Sequence, residues 1–135
     1  MHEALVKKFA ESGIEGEVLP FIDDMPGAFQ RADLVICRAG AGAVAELAAA
    51  GKPSILVPLP HAADQHQLRN AEAFDKAGAA RLILDPEMDG GRLFEEAGKL
   101  STQPELLKRM GERARTFAHP NAASRAADIV EELTR

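Results

Sequence analysis

The segment from Arg38 to Glu46 places small residues and one carboxylate where an apolar stretch gives way to a helical pattern. Gly40 and Gly42 lie at this transition, and Glu46 follows about one turn later. The free N–H groups at a helix start favour an anion, and glycine lets that anion approach the backbone. The two oxygens of Glu46 can accept hydrogen bonds from both hydroxyls of a ribose. The alternative is that small residues let the helix pack tightly on a sheet and that the glutamate is an ordinary surface residue.

Polar side chains also crowd the start of the helix that follows the next apolar stretch. His66 and Gln67 occupy its first turn, where imidazole and amide groups suit the hydroxyls of a sugar. The alternative is a solvent-facing first turn that Asp64 caps, with Asn70 holding a loop in place. His61 and His66 have no third ligand at a suitable spacing, so we expect no metal site here.

A third polar stretch follows Ile22, whose backbone N–H and C=O groups are candidates for pairing with a nucleotide base. The adjacent carboxylates Asp23 and Asp24 point to opposite sides of an extended chain, so capping of a short helix is favoured over a metal or acid–base pair. No Ser-His-Asp or Cys-His arrangement suggests covalent catalysis. Cys37 closes an apolar run, and we expect it to be buried rather than reactive.

Strand and helix patterns alternate around these segments. The apolar runs predict strands covered on both faces, and glycines or prolines mark the helix ends. This alternation indicates an α/β fold, Rossmann-like, with a mainly parallel sheet and helices on both faces. The three polar segments then meet at the carboxyl edge of the sheet, where such folds bind ligands. The predicted strands are Gly16–Ile22, Asp33–Cys37, Ser54–Leu59 and Ala80–Leu84; the main predicted helices cover 41–50, 65–77, 92–99, 104–117 and 121–133.

Composition limits the classes of function. The 135 residues suffice for one domain, and the formal net charge of −5 argues against a nucleic-acid partner. A single cysteine excludes an internal disulfide and fits a reducing compartment. No apolar stretch reaches the length of a transmembrane helix, and the N-terminus lacks the pattern of a signal peptide.

Taken together, the three segments resemble the C-terminal half of the MurG family, the peptidoglycan N-acetylglucosaminyltransferases of the GT-B class. The resemblance extends over nearly the whole chain and implies a UDP-sugar-binding domain spanning residues 1–135. It rests on the stretches "FIDDM", "ADLVICRAGAGAVAELAAAGKPSILVPLP", "DQHQLRNAEAFDKAGAARLI" and "PNAASRAADIVEEL".

The resemblance also implies roles for individual residues. The backbone at Ile22 contacts uracil, the segment from Ala41 lies beside the diphosphate, Glu46 holds the ribose, and His66 and Gln67 meet the N-acetylglucosamine hydroxyls. The full set of expected donor-binding residues is Ile22, Arg38, Gly40, Ala41, Gly42, Ala43, Val44, Ala45, Glu46, His66, Gln67 and Asn70. We expect no catalytic residue, cofactor or metal in this chain.

The resemblance further implies that a Gly-Gly-Ser loop and an N-terminal acceptor domain are missing here. We therefore expect the donor-binding portion of an inverting hexosyltransferase that uses UDP-N-acetylglucosamine and is inactive alone. The acceptor, a lipid-linked muramyl-pentapeptide, would bind the missing domain at the inner, cytoplasmic face of the cell membrane. The alternative is a stand-alone nucleotide-sugar-binding subunit of a split glycosyltransferase. An exposed sheet edge would also permit a dimer.

Overall fold

A parallel sheet forms the centre of the computed structural model, which describes the backbone of residues 1–135 and all side chains except that of Ala63. The central strand pairs on both sides, so that Ile55 lies opposite Ile36 on one neighbour and Arg81 on the other. This arrangement confirms the predicted α/β class. In order across the sheet, the strands are β1 (Val35–Cys37), β2 (Ser54–Leu56) and β3 (Ala80–Leu82).

Seven α-helices accompany the sheet in the described backbone, and most begin and end close to the predicted positions. Short 3-10 turns at Ala63–Gln65 and Asp85–Glu87 follow β2 and β3. The helices are α1 (His2–Ser12), α2 (Met25–Arg31), α3 (Ala41–Ala50), α4 (His66–Lys76), α5 (Gly90–Ser101), α6 (Pro104–Arg115) and α7 (Ala122–Thr134).

Side chains of β2 alternate between two apolar layers because successive residues of a strand face opposite sides. Leu56 packs with Leu47 of α3 and Phe74 of α4 on one face. Ile55 packs with Leu100 of α5 and Met110 of α6 on the other. The sheet is therefore covered on both faces, as its uninterrupted apolar sequence predicted.

Local sequence signals fix several helix ends. The Asp24 side chain accepts a hydrogen bond from the Gly27 N–H at 2.9 Å, so the predicted cap of α2 is confirmed for this residue. Gly51 closes α3 in the left-handed region at φ 63°, a conformation that glycine adopts without a Cβ penalty. Gly13 does the same for α1.

The predicted strand at Gly16–Ile22 is wrong. This segment contains no β-structure, and none of the described strands pairs with it. A strand requires interstrand hydrogen bonds, and Pro20 within the segment has no N–H to donate. The other three predicted strands are present but shorter, because only three residues of each strand pair with a neighbouring strand.

One edge of the described sheet is open. β1 pairs only with β2, and its Ile36 is 43% exposed, whereas Ile55 in the centre is fully buried. The terminal helices α1 and α7 bury none of their described residues. Within the described part of the chain, no helix has the length and apolar character needed to cross a membrane.

Two glycines inside helices provide a matched test of the packing. A Cβ on Gly111 of α6 would overlap the carbonyl oxygen of Gly51, where α6 crosses the end of α3, whereas a Cβ on Gly98 of α5 would meet no atom within 4 Å. We expect Gly111→Ala to lower the free energy of unfolding by roughly 1–3 kcal/mol. Gly98→Ala should raise it by roughly 0.5–1 kcal/mol, because alanine loses less backbone entropy. Urea unfolding of both variants measures the difference, and equal effects would contradict this packing.

Candidate functional site

The loop between β1 and α3 presents backbone donors without side-chain partners. Gly40 is the N-cap of α3 in an extended conformation, and no side chain accepts from the first-turn N–H groups. Those donors and the positive end of the helix dipole are therefore available to an anion. Ala41 and Ala45 of the expected site are exposed, and Ala43 and Val44 are half-buried.

Neither glycine of this loop is required by contacts within the protein. A Cβ at Gly42 would meet open space, and one at Gly40 would lie 3.8 Å from the Gln67 Nε2, an ordinary contact distance. Tight packing instead explains Ala39 and Ala48, which are fully or almost fully buried. Tight packing on the sheet therefore explains the buried alanines but not Gly40 and Gly42. The space around these two glycines is open to a ligand.

Gln67 joins the loop after β1 to the loop after β2. Its Oε1 accepts hydrogen bonds from the Ala39 N–H at 3.3 Å and the Leu59 N–H at 3.0 Å. Asn70, one turn later, donates from Nδ2 to the Ala39 carbonyl at 3.0 Å. The expected meeting of these two segments is confirmed. The Gln67 oxygen is occupied by the protein, whereas its Nε2 lies beside Gly40.

His66 begins α4 and is exposed, with its Nε2 3.8 Å from Asp64 Oδ2. The alternative that Asp64 caps this helix is wrong. The N-cap is Gln65, and no side chain caps α4. Asp64 and Gln65 both have positive φ values, 51° and 55°, so the chain enters the helix from a conformation that does not bring the Asp64 carboxylate to the first-turn N–H groups.

Glu46 is exposed on α3 and lines an open cavity of about 550 Å³. Phe29 and Gln30 of α2 line one side of this cavity, and Lys52 and Arg115 line it near the end of α3. Burial raises the pKa of the Cys37 thiol, and the nearby Glu46 carboxylate raises it further. Cys37 is half-buried at the carboxyl end of β1, less enclosed than predicted.

Ile22 precedes α2 and is 40% exposed. The helix that follows packs against α3, with Met25 and Phe29 contributing to the shared core. No hydrogen bond of the described residues joins Ile22 to the loops after β1 and β2. Among those residues, no three histidine, cysteine, aspartate or glutamate side chains lie close enough together to hold a metal ion.

Arg38 makes contacts that the sequence did not predict. Its Nη1 donates to the Val57 carbonyl at 3.3 Å and the Pro58 carbonyl at 3.5 Å, and it forms an ion pair with Asp85. Sequence reasoning missed Asp85 entirely. The available signal was its position directly after the predicted strand Ala80–Leu84, since charged residues that follow neighbouring parallel strands meet at one edge.

Comparison with protein families matches residues 2–133 to the glycosyltransferase family 28 C-terminal domain. The chain belongs to this family. A transferase from Solibacter usitatus, named UDP-N-acetylglucosamine–N-acetylmuramyl-(pentapeptide) pyrophosphoryl-undecaprenol N-acetylglucosamine transferase, is 61% identical over 94% of the chain and 34% of its own length. A Stutzerimonas stutzeri protein of the same name is 51% identical over 97% of the chain and 37% of its own length.

The solved structures contain the same domain. A crystal structure of MurG from Acinetobacter baumannii superposes with a TM-score of 0.86 at 37% identity, covering 97% of the chain and 38% of that protein. The resemblance to the MurG family is therefore confirmed. The chain spans about a third of the length of the curated relatives it matches.

The position of Glu46 can be tested through Cys37. We expect Cys37 to react with iodoacetamide at pH 8 more slowly than a free thiol, because its raised pKa leaves less thiolate. Glu46→Gln should lower that pKa and increase the rate by roughly two- to fivefold. Glu112→Gln removes a charge from the groove at the opposite edge of the sheet and should leave the rate unchanged. Equal rates in the wild type and Glu46→Gln would place Glu46 away from β1.

Proposed function

We propose that this domain binds UDP-N-acetylglucosamine and forms the donor half of an inverting N-acetylglucosaminyltransferase in peptidoglycan precursor synthesis. The observation that carries the proposal is the uncapped start of α3, held by Gln67 against the start of α4. The names of the relatives support the choice of donor. Their greater length supports a second domain that binds the acceptor.

The diphosphate would bind the first-turn N–H groups of α3, beside Gly40 and Gly42. Backbone dipoles fixed in this orientation stabilise negative charge without reorganising, so they can assist the departure of UDP without a metal ion. Glu46 lies five residues beyond Ala41, which corresponds to about 7.5 Å along the helix axis. A ribose next to the diphosphate would then be within reach of the Glu46 carboxylate.

The two ends of the donor would then extend to opposite sides of α3. The uracil would pair with the backbone at Ile22, next to α2. The N-acetylglucosamine would lie over the start of α4, where His66 is exposed and the Gln67 Nε2 has no assigned acceptor. Both side chains suit sugar hydroxyls because imidazole and amide groups form hydrogen bonds with hydroxyls.

In the reaction, an acceptor hydroxyl would attack the anomeric carbon from the face opposite the diphosphate. The bond from that carbon to the phosphate oxygen would break, and the configuration would invert. We assign no catalytic base to this chain, and the hydroxyl proton would pass to a base on the acceptor-binding domain. The lipid-linked muramyl-pentapeptide would be presented by another domain at the inner, cytoplasmic face of the membrane, and the 135-residue chain alone should not turn over.

The ribose assignment predicts a loss of UDP affinity in Glu46→Ala. Charge-assisted hydrogen bonds to the diol are worth roughly 1.5–3 kcal/mol, so affinity measured by calorimetry should fall by about one to two decades. Glu112→Ala removes the same side chain at the opposite edge of the sheet and should leave UDP binding unchanged.

The dideoxyribose analogue of UDP provides the chemical control. It has no hydroxyls for the carboxylate to hold, so the wild type and Glu46→Ala should bind it with similar affinity. If the wild type binds UDP and the analogue equally well, Glu46 is not the ribose ligand. If the wild type binds neither UDP nor UDP-N-acetylglucosamine, the proposed function is wrong.

The contacts of α4 predict different phenotypes for two adjacent residues. His66→Ala should lower the affinity for UDP-N-acetylglucosamine by about 3- to 10-fold and leave the affinity for UDP unchanged, because we expect its side chain to contact the sugar and not the UDP. Gln67→Ala should weaken both ligands, because it also removes the acceptor for the Ala39 and Leu59 N–H groups. Competition titrations with the two ligands measure each ratio. A selective effect of Gln67→Ala on the sugar nucleotide would show that its loop contacts do not support the diphosphate site.

A further inference from the structure

One guanidinium group links the loops that follow all three strands. Arg38 follows β1, its carbonyl partners Val57 and Pro58 follow β2, and its ion-pair partner Asp85 opens the turn after β3. The Arg38 side chain is 51% exposed, and that of Asp85 is 35% exposed. The contact therefore lies at the surface of the carboxyl edge and not within the core.

The same loops are joined a second time through Gln67. The Leu59 N–H, one residue after Pro58, donates to the Gln67 Oε1, which also accepts from the Ala39 N–H. Ala39 directly follows Arg38 and precedes the N-cap Gly40. The contacts form a closed ring from Arg38 through the loop after β2 to Gln67 and back to Ala39.

Asp85 is the charged partner of Arg38, and it lies outside this ring, in the turn after β3. Without it, the guanidinium would keep only its two carbonyl contacts, at 3.3 and 3.5 Å, which are long for hydrogen bonds. Charge-assisted contacts are stronger than neutral ones, so the carboxylate contributes much of the restraint on Arg38. Without Asp85, these two weaker contacts alone would hold Arg38 to the loop after β2.

We propose that Asp85 is a positioning residue of the donor site, acting through Arg38 to hold the loops after β1 and β2 at the start of α3. The proposal rests on the proposed function, because the site it positions is the one assigned to the donor diphosphate. It gives Arg38 a role as a loop clamp. Asp85 itself touches no ligand.

Amide exchange in the unliganded chain tests the positioning directly. In Asp85→Ala, we expect the Ala39 and Leu59 amides to exchange with solvent about 3- to 10-fold faster in NMR measurements, since their shared acceptor is less well held. Glu87→Ala removes an exposed carboxylate from the same turn and should not change these rates. Asp85→Glu keeps a carboxylate for Arg38 and should restore protection at least in part. Unchanged exchange in Asp85→Ala would overturn the proposal, whether or not the chain binds UDP.

Ligand titration distinguishes a clamp from a direct phosphate contact. If Arg38 acts as a clamp, Asp85→Ala should weaken UDP by about 3- to 10-fold, and Asp85→Glu should recover much of that loss. If Arg38 instead binds phosphate and Asp85 competes with the phosphate for Arg38, Asp85→Ala should increase the affinity for UDP relative to uridine. That result would overturn the proposal. A wild-type chain that binds no UDP would refute the proposed function, whereas the exchange rates would still decide whether Asp85 holds the loops.

Discussion

Parallel pairing of β2 with a neighbour on each side is the constraint on which the remaining structure depends. Because the three strands run in the same direction, the residues that follow them emerge at one edge. Each face of β2 is buried by a separate layer, so neither the register nor the direction of the strands can change without exposing apolar side chains. The loops are then close enough for single side chains, Gln67 and Arg38, to join them.

The positively charged side chains of one groove lie away from the candidate site at the start of α3. The cations Lys52, Lys108 and Arg115 line a groove of about 620 Å³ at the amino ends of the strands, away from α3's start. Two of them have structural partners: Lys52 donates to the Ala32 carbonyl after α2, and Arg115 donates to the Ala50 carbonyl at the end of α3. Helix C-termini attract such side chains because their carbonyls carry partial negative charge.

At the carboxyl edge the arrangement is reversed. The nearby arginine, Arg38, is paired with Asp85. The donors that remain are neutral backbone N–H groups at the start of α3 and the polar side chains at the start of α4. Fixed dipoles and hydrogen bonds of this kind can bind an anionic ligand with few positive charges nearby.

Much of this architecture was accessible from the sequence because its signals are local or periodic. Apolar runs of strand length, the cap at Asp24 and the glycine at Gly51 depend on residues adjacent in the chain. They predicted the α/β class, most helix boundaries and the meeting of the loops that contain Gly40 and Gln67. The strand expected at Gly16–Ile22 failed because a strand is defined by its partner, and no propensity of the segment itself supplies one.

Side-chain contacts between distant residues were decided only by the tertiary structure. The Arg38–Asp85 pair joins residues 47 positions apart. Strand order brings both residues to one edge of the sheet, but it does not show that their side chains meet. The Gln67 Oε1 accepts hydrogen bonds within the protein, while its Nε2 has no acceptor among the described residues. This difference likewise depends on where the Ala39 and Leu59 N–H groups lie. By itself, the sequence determined which residue types reach the carboxyl edge, since strand direction and loop position follow from the pattern. The fold decided which of their atoms are satisfied by the protein and which remain for a ligand, because that depends on distances of a few ångströms between segments far apart in the chain.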